Sequence, residues 1–144
     1  MLLLEKAGAK LFANYNGMTG GDPEKSLRFL TGMPTSSWSR EELTKKGDDY
    51  LWKIIMKAEK NNWPMACGTR KYAPNYLYGS HAYTVLGGMQ LKNKDGSEGP
   101  KLIKIRNPHG RARYNERGPW GSFSDKWTDS YKEQTGFNTE VRSM

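Results

Sequence analysis

At 144 residues the chain is long enough for one domain with a hydrophobic core and too short for two independent ones, so residues 1–144 read as a single unit. A net charge of +8 accompanies 12% aromatic residues, which argues against a disordered chain, and the cations of "LTKKG", "GTRKY", "LIKIR" and "GRARYNERG" are scattered over a solvated surface without forming a nucleic-acid fingerprint. The single cysteine, Cys67, rules out an internal disulfide and points to a reducing, cytoplasmic setting, while "MLLLEKAGAKLF" is too short an apolar run for a secretory signal or a membrane span.

Leu3, Leu4, Ala7 and Leu11 recur at helical spacing and predict an amphipathic helix over residues 2 to about 13. Asn16-Gly17 and Gly20-Gly21 break it, and Asp22 before Pro23 then reads as an N-cap that opens a short helix over 23–30. In the connector that follows, Ser39 is placed to cap one more turn. "DDYLWKIIMKAEKNN" carries the strongest helical signal, with Leu51, Ile54, Ile55 and Ala58 in one stripe and an acidic start and basic end that suit the helix dipole. "WPMACGT" reads as a short buried strand and "RKYAPNYLYGS" as a polar loop.

"HAYTVLGGMQL" and "KLIKIRN" flank the turn-rich "KNKDGSEGP" and predict an antiparallel hairpin, with a bulge at Gly87-Gly88. A long loop rich in Gly, Pro and aromatics follows, "NPHGRARYNERGPWGSFSDKW". Helices first and strands later make the class α+β, with N-terminal helices packed on antiparallel sheet.

The hairpin puts two polar residues at the open ends of apolar strand faces. His81 shares a face with Tyr83 and Val85, and Asn107 one with Ile103 and Ile105. They stand directly opposite only if the hairpin folds about Lys94; a turn farther on separates them unless a bulge restores the register. If they meet, the Asn oxygen accepts from one imidazole N–H and fixes the ring, leaving the other nitrogen to take a proton from a nucleophile. A neutral Asn suits a thiol partner, whose thiolate balances the imidazolium. The competing reading is a strand-end His satisfied by backbone groups.

"GSHAYTVLGG" and "KLIKIRNPHG" resemble the segments around the catalytic His and the Asn-Pro-Trp-Gly motif of the calpain-type, papain-like cysteine peptidases. "LLEKAGAKLFANYNGMTGGDPEKSLRFLTG" and "WKIIMKAEKNNWPMACG" resemble the opening and the middle helix of the second lobe of that protease core, so the likeness runs in order from residue 2 to about 127. It implies a papain-like second subdomain in which His81 is the base and Asn107 its orienter. It also implies that the nucleophilic Cys and the oxyanion-hole Gln belong to a separate Cys-bearing lobe. The chain alone is then expected to be inactive, with protein substrates cleaved only when that lobe is its partner. Cys67 aligns with a position of no catalytic role and is expected to be a buried structural thiol.

Three departures from the family pattern stand out. His109 replaces the motif's Trp, and His109 and Trp120 are expected on the substrate side of the cleft. Arg113 occupies the position resembling the first acidic calcium ligand, so Ca²⁺ binding is expected to be lost or feeble, with Glu116 and Asp125 as the remaining weak metal candidates and no other cofactor. The aromatic strand that completes the family's sheet is not recognisable: either the sequence is a piece of a longer protein and that strand is missing from it, or residues 128–144 rebuild the last strands. The expected function is the His/Asn half of a calpain-like intracellular endopeptidase. The alternatives are an inactive calpain-like module that binds a protein and, more remotely, a basic surface for acidic lipid or RNA.

Overall fold

A computed structural model describes residues 2–109 and 118–137. They comprise five α-helices and one three-stranded antiparallel sheet, an α+β arrangement as the order of elements predicts. The chain divides into two compact units, residues 1–42 and 43–144.

In the first unit, α1 spans Leu2–Leu11 and α2 spans Pro23–Thr31. Gly8 lets the chain fold back closely, since a Cβ there would lie 2.9 Å from the Met18 Cε and 3.4 Å from the Phe29 ring. Phe12 and Phe29 close the same contact edge to face, with ring centroids 6.1 Å apart. The α2 start is the predicted one: the Asp22 carboxylate accepts from the Glu24 N–H at 3.1 Å, with Pro23 in the first turn. Ser39 opens α3 (Arg40–Lys46) with a reciprocal cap. Its hydroxyl accepts from the Glu42 N–H at 3.2 Å while the Glu42 carboxylate accepts from the Ser39 N–H at 2.7 Å.

The second unit is built on α4 (Asp48–Lys60) and the sheet β1 (Met65–Gly68), β2 (Ala82–Lys92) and β3 (Glu98–Arg106), in the order β1-β2-β3. The predicted stripe of α4 is its inward face, with Ile55 and Ala58 buried and Leu51 and Ile54 half-buried. β1 is an edge strand whose residues, apart from half-buried Met65, are exposed, where a buried strand was expected. As an edge it lacks a neighbour on one side among the described residues, and its short length limits what it can cover.

The hairpin turns over Asn93–Ser97. Asn93 N–H donates to the Ser97 carbonyl at 2.9 Å, and Gly96, at φ +82°, donates to the Asn93 carbonyl at 3.0 Å. The bulge lies one step earlier than expected. Val85 pairs with Ile105 and Gly87 with Lys104, so Leu86 is the extra residue. Gly87 takes φ +149°, and a Cβ there would sit 2.7 to 2.9 Å from the Glu59 carboxylate. That carboxylate accepts from the Gly88 N–H at 2.9 Å, and Gly88 itself leaves room for the Trp52 ring, so the bulge is where α4 docks on the sheet.

Residues 129–135 form a helix, α5 (Asp129–Thr135), and not the rebuilt strands that were one of the two alternatives for this segment. Thr128 caps it through the Tyr131 N–H, and Gly136 ends it at φ +65°. The Gln134 amide pairs with the hairpin as a strand would: it accepts from the Lys92 N–H at 2.8 Å and donates to the Lys92 carbonyl at 3.0 Å. Residues 138–144 lie outside the described residues.

Replacing Gly87 by Ala forces an L side chain into a backbone region that disfavours it and against Glu59. The expected loss is about 1–3 kcal/mol of stability, read as a lower urea midpoint. An unchanged midpoint would show that the bulge relaxes at no cost.

Candidate functional site

His81 lies just before β2, and its backbone is held by β1. The ladder between β1 and β2 ends with Gly68 opposite Ala82, and Thr69 extends it by one residue. Thr69 N–H donates to the His81 carbonyl at 2.9 Å, and the Thr69 hydroxyl accepts from the His81 N–H at 3.1 Å. The same hydroxyl donates to the Tyr78 carbonyl at 2.5 Å, with the His81 carbonyl 3.2 Å away. The loop before His81 closes tightly on this clasp. A Cβ at Gly79 would collide with the Lys71 carbonyl, and Ser80 stands at φ +48°, its N–H donating to the Arg70 carbonyl at 3.0 Å.

The ring is oriented from the other side. His81 Nε2 lies 2.9 Å from Asn107 Oδ1, and that oxygen also accepts the His109 backbone N–H at 3.0 Å. A backbone N–H can only donate, so it fixes which half of the Asn107 amide faces the histidine. Nε2 must then carry the hydrogen, and in a neutral ring Nδ1 keeps its lone pair, for which no donor is found among the described residues. Among the described residues the amide's buried Nδ2 has no hydrogen-bond partner.

His81 and Asn107 are not directly opposite. Thr84 pairs with Arg106, so the next step of that register places Tyr83 opposite Asn107 and leaves His81 on the diagonal. The turn, centred one residue beyond Lys94, sets this offset; the register shift between Gln90 and Lys92 and the bulge at Leu86 compensate each other, and long side chains span the diagonal. Tyr83, only 2% exposed, fills the space between the strands; its ring stands edge-on to His81 at 4.8 Å, and its hydroxyl accepts from the Tyr78 N–H at 2.8 Å. Neither Thr69, Tyr78 nor Tyr83 stands out in the sequence as a site residue. The one available signal was that Tyr83 shares the strand face of His81.

His109 is brought into the site as well. Its ring stacks on that of His81 with centroids 4.3 Å apart and an interplanar angle of 3°, and Tyr78 meets both rings edge-on, at 5.7 Å from His81 and 5.1 Å from His109. Trp120 contacts a different set of rings. It packs against Trp127 at 4.9 Å and Tyr131 at 6.0 Å, with the Lys126 ammonium 5.9 Å from its ring, beside α5.

Asp125 is exposed in the turn between Ser124 and Trp127. Glu116 and Arg113 lie outside the described residues. Among the described residues no three His, Cys, Asp or Glu side chains converge on a point, so the oxygen-rich cage that calcium requires is not formed by them.

Cys67 corrects an expectation: it is exposed on β1, not buried, because β1 is the edge of the sheet. The protein around its sulfur nevertheless desolvates the thiolate and raises the thiol pKa above its ordinary value. An activated nucleophile needs the opposite shift. Raising the pKa shrinks the thiolate fraction at neutral pH, so Cys67 is expected to react with iodoacetamide more slowly than free cysteine at pH 7 and to speed up only at more alkaline pH. Faster reaction at pH 7 would contradict this assignment.

The sequence model of a family described as "Calpain family cysteine protease" matches residues 1–143. Calpain-14 of Homo sapiens is 34% identical over 128 residues, which cover 87% of this chain and 18% of that protein. Calpain-9 of Rattus norvegicus is 31% identical over 140 residues, covering 92% and 19% of the two chains. The calpain-2 catalytic subunit of Gallus gallus is 30% identical over 148 residues, covering 97% and 19%. The chain thus spans less than a fifth of the length of these curated relatives.

Proposed function

The chain belongs to the calpain family of cysteine proteases, and on that premise we propose that it is the His/Asn half of a calpain-like cysteine endopeptidase, hydrolysing peptide bonds together with a Cys-bearing lobe. The observation that carries this reading is the 2.9 Å contact of His81 Nε2 with an Asn107 oxygen whose orientation the His109 N–H fixes. It leaves Nδ1 as the proton acceptor.

In this reading Nδ1 takes the proton of a thiol presented by the other lobe. The thiolate attacks the peptide carbonyl, and the imidazolium returns the proton to the leaving amine. Asn107 Oδ1 holds the Nε2–H through both steps. Cys67 does not supply the thiol, since its environment disfavours the thiolate and its β1 position pairs with Tyr83. The isolated chain is therefore inactive. No calcium-dependent step is assigned to the described residues. A cytoplasmic location accords with the single cysteine; among the described residues no helix is long and apolar enough to cross a membrane.

One observation favours a second reading, an inactive calpain-like module that binds protein. The motif position expected to hold Trp carries His109, which is exposed, so the His81–Asn107 bond has a smaller cover against water. Joining the chain to a Cys-bearing calpain lobe separates the two. The peptidase reading expects cleavage of a fluorogenic protein substrate that falls at least about 100-fold in His81→Ala, measured with and without Ca²⁺. A folded, joined protein that cleaves nothing would establish the binding-module reading instead.

A further inference from the structure

His81 stands beyond the last pair of the β1–β2 ladder, and the contacts of its ring, Nε2 to Asn107 and the stack on His109, set the rotation of the imidazole without fixing where its Cα stands. Two hydroxyl groups fix that. Thr69 Oγ1 accepts from the His81 N–H at 3.1 Å and gives its single hydrogen to the Tyr78 carbonyl at 2.5 Å. The Tyr78 main chain is held from the other side as well, its N–H donating at 2.8 Å to the hydroxyl of Tyr83, a β2 side chain only 2% exposed. Thr69 and Tyr83 thus grip the same peptide segment from two strands, just before the histidine. The segment between has a reason to move if released, because Ser80 stands at φ +48°, in a region that costs an L residue.

We propose that the hydroxyls of Thr69 and Tyr83 are positioning groups for His81: acting together on the Tyr78 main chain, and Thr69 also on the His81 N–H, they hold the imidazole where Nε2 meets Asn107. The effect on the ring follows from this geometry alone; the effect on rate rests on the peptidase reading of His81. Both hydroxyls are committed to main-chain groups, so they act through the histidine and take no part in the proton transfer. Misplacement of a reacting group by about 1 Å costs on the order of 100-fold in rate, and the relaxed loop would carry His81 with it.

On the chain itself the readout is the hydrogen on His81 Nε2. Held by Asn107, it is expected to exchange slowly enough to give its own NMR resonance, which His81→Gln identifies, the chain having one other histidine. Thr69→Val removes the hydroxyl, keeps the shape of the side chain and leaves the Thr69 N–H bonded to the His81 carbonyl. The resonance is expected to be lost to solvent exchange in Thr69→Val and in Tyr83→Phe, and kept in Thr69→Ser. Where Thr69→Val does not fold, Tyr83→Phe and Thr69→Ser carry the same test. Persistence of the resonance in either folded hydroxyl-free variant overturns the joint role, and so does its absence from the wild type.

The effect on rate is measured on the chain joined to a Cys-bearing lobe. Thr69→Val and Tyr83→Phe are each expected to lower kcat by about 10- to 100-fold with KM changed by less than about 2-fold, and Thr69→Ser to restore most of kcat. Because both hydroxyls act through Tyr78, the double variant is expected to lose less than the product of the single losses. An active wild type whose kcat neither variant lowers, or a loss at Thr69 that Ser does not restore, overturns the role of the hydroxyls and leaves the peptidase reading standing. An inactive wild type in which the Nε2 resonance still follows the hydroxyls overturns the peptidase reading and upholds their hold on the ring.

Discussion

One extra residue in β2, Leu86, restores the register that the shift between Gln90 and Lys92 displaces, and so decides which side chains meet at the far end of the hairpin. Without it every residue before Gly87 would shift by one relative to β3, and a one-residue slip turns a strand face over. With it, Val85 stays beside Ile105, Tyr83 falls in line with Asn107, and His81 remains on the same face just beyond the ladder. The same bulge bends the backbone into a conformation that Gly87 tolerates, and it opens the Gly88 N–H to the Glu59 carboxylate of α4. Helix docking therefore depends on the bulge at Leu86, and the register at the site on that bulge together with the shift between Gln90 and Lys92.

A histidine beyond the end of a strand needs other means of support. Thr69 provides them by continuing the β1 edge for one residue and wrapping its hydroxyl around the His81 backbone, while the tight loop at Gly79 and Ser80 takes up the change of direction. Asn107 then sets the ring. Its oxygen serves two donors, and the unambiguous one, the His109 backbone N–H, decides the role of the other. The imidazole is oriented by a neutral group, which in the proposed reading suits a reaction whose compensating negative charge is a thiolate.

The proposed division of labour between this chain and a Cys-bearing lobe rests on the thiol chemistry. Cys67 is the chain's only cysteine, and its surroundings raise its pKa instead of lowering it. In the proposed reading, His81 and Asn107 are therefore paired here without an activated nucleophile. The chain corresponds to less than a fifth of the length of its calpain relatives, and whole-enzyme properties such as substrate choice and calcium response belong to the proposal for the assembled protein.

Much of the local structure was legible in the residues. The Leu51–Ile55–Ala58 stripe, the Asp22-Pro23 start, the Ser39 cap and the turn-rich segment between two β-branched runs each depend on contacts within a few positions, and each element formed where those contacts predict. The His and Asn at strand ends were visible for the same reason, because strand alternation is a local rule. What only the tertiary structure decided involves partners far apart in sequence. The diagonal meeting of His81 and Asn107 depends on where the bulge fell, and the clasp by Thr69 on an edge strand 12 positions away. The exposure of Cys67 followed from β1 lying at the sheet edge, and α5 is tied to the hairpin by Gln134 across 42 positions. The His109 stack is the plainest case: the sequence named both histidines, and only the fold could set their rings face to face.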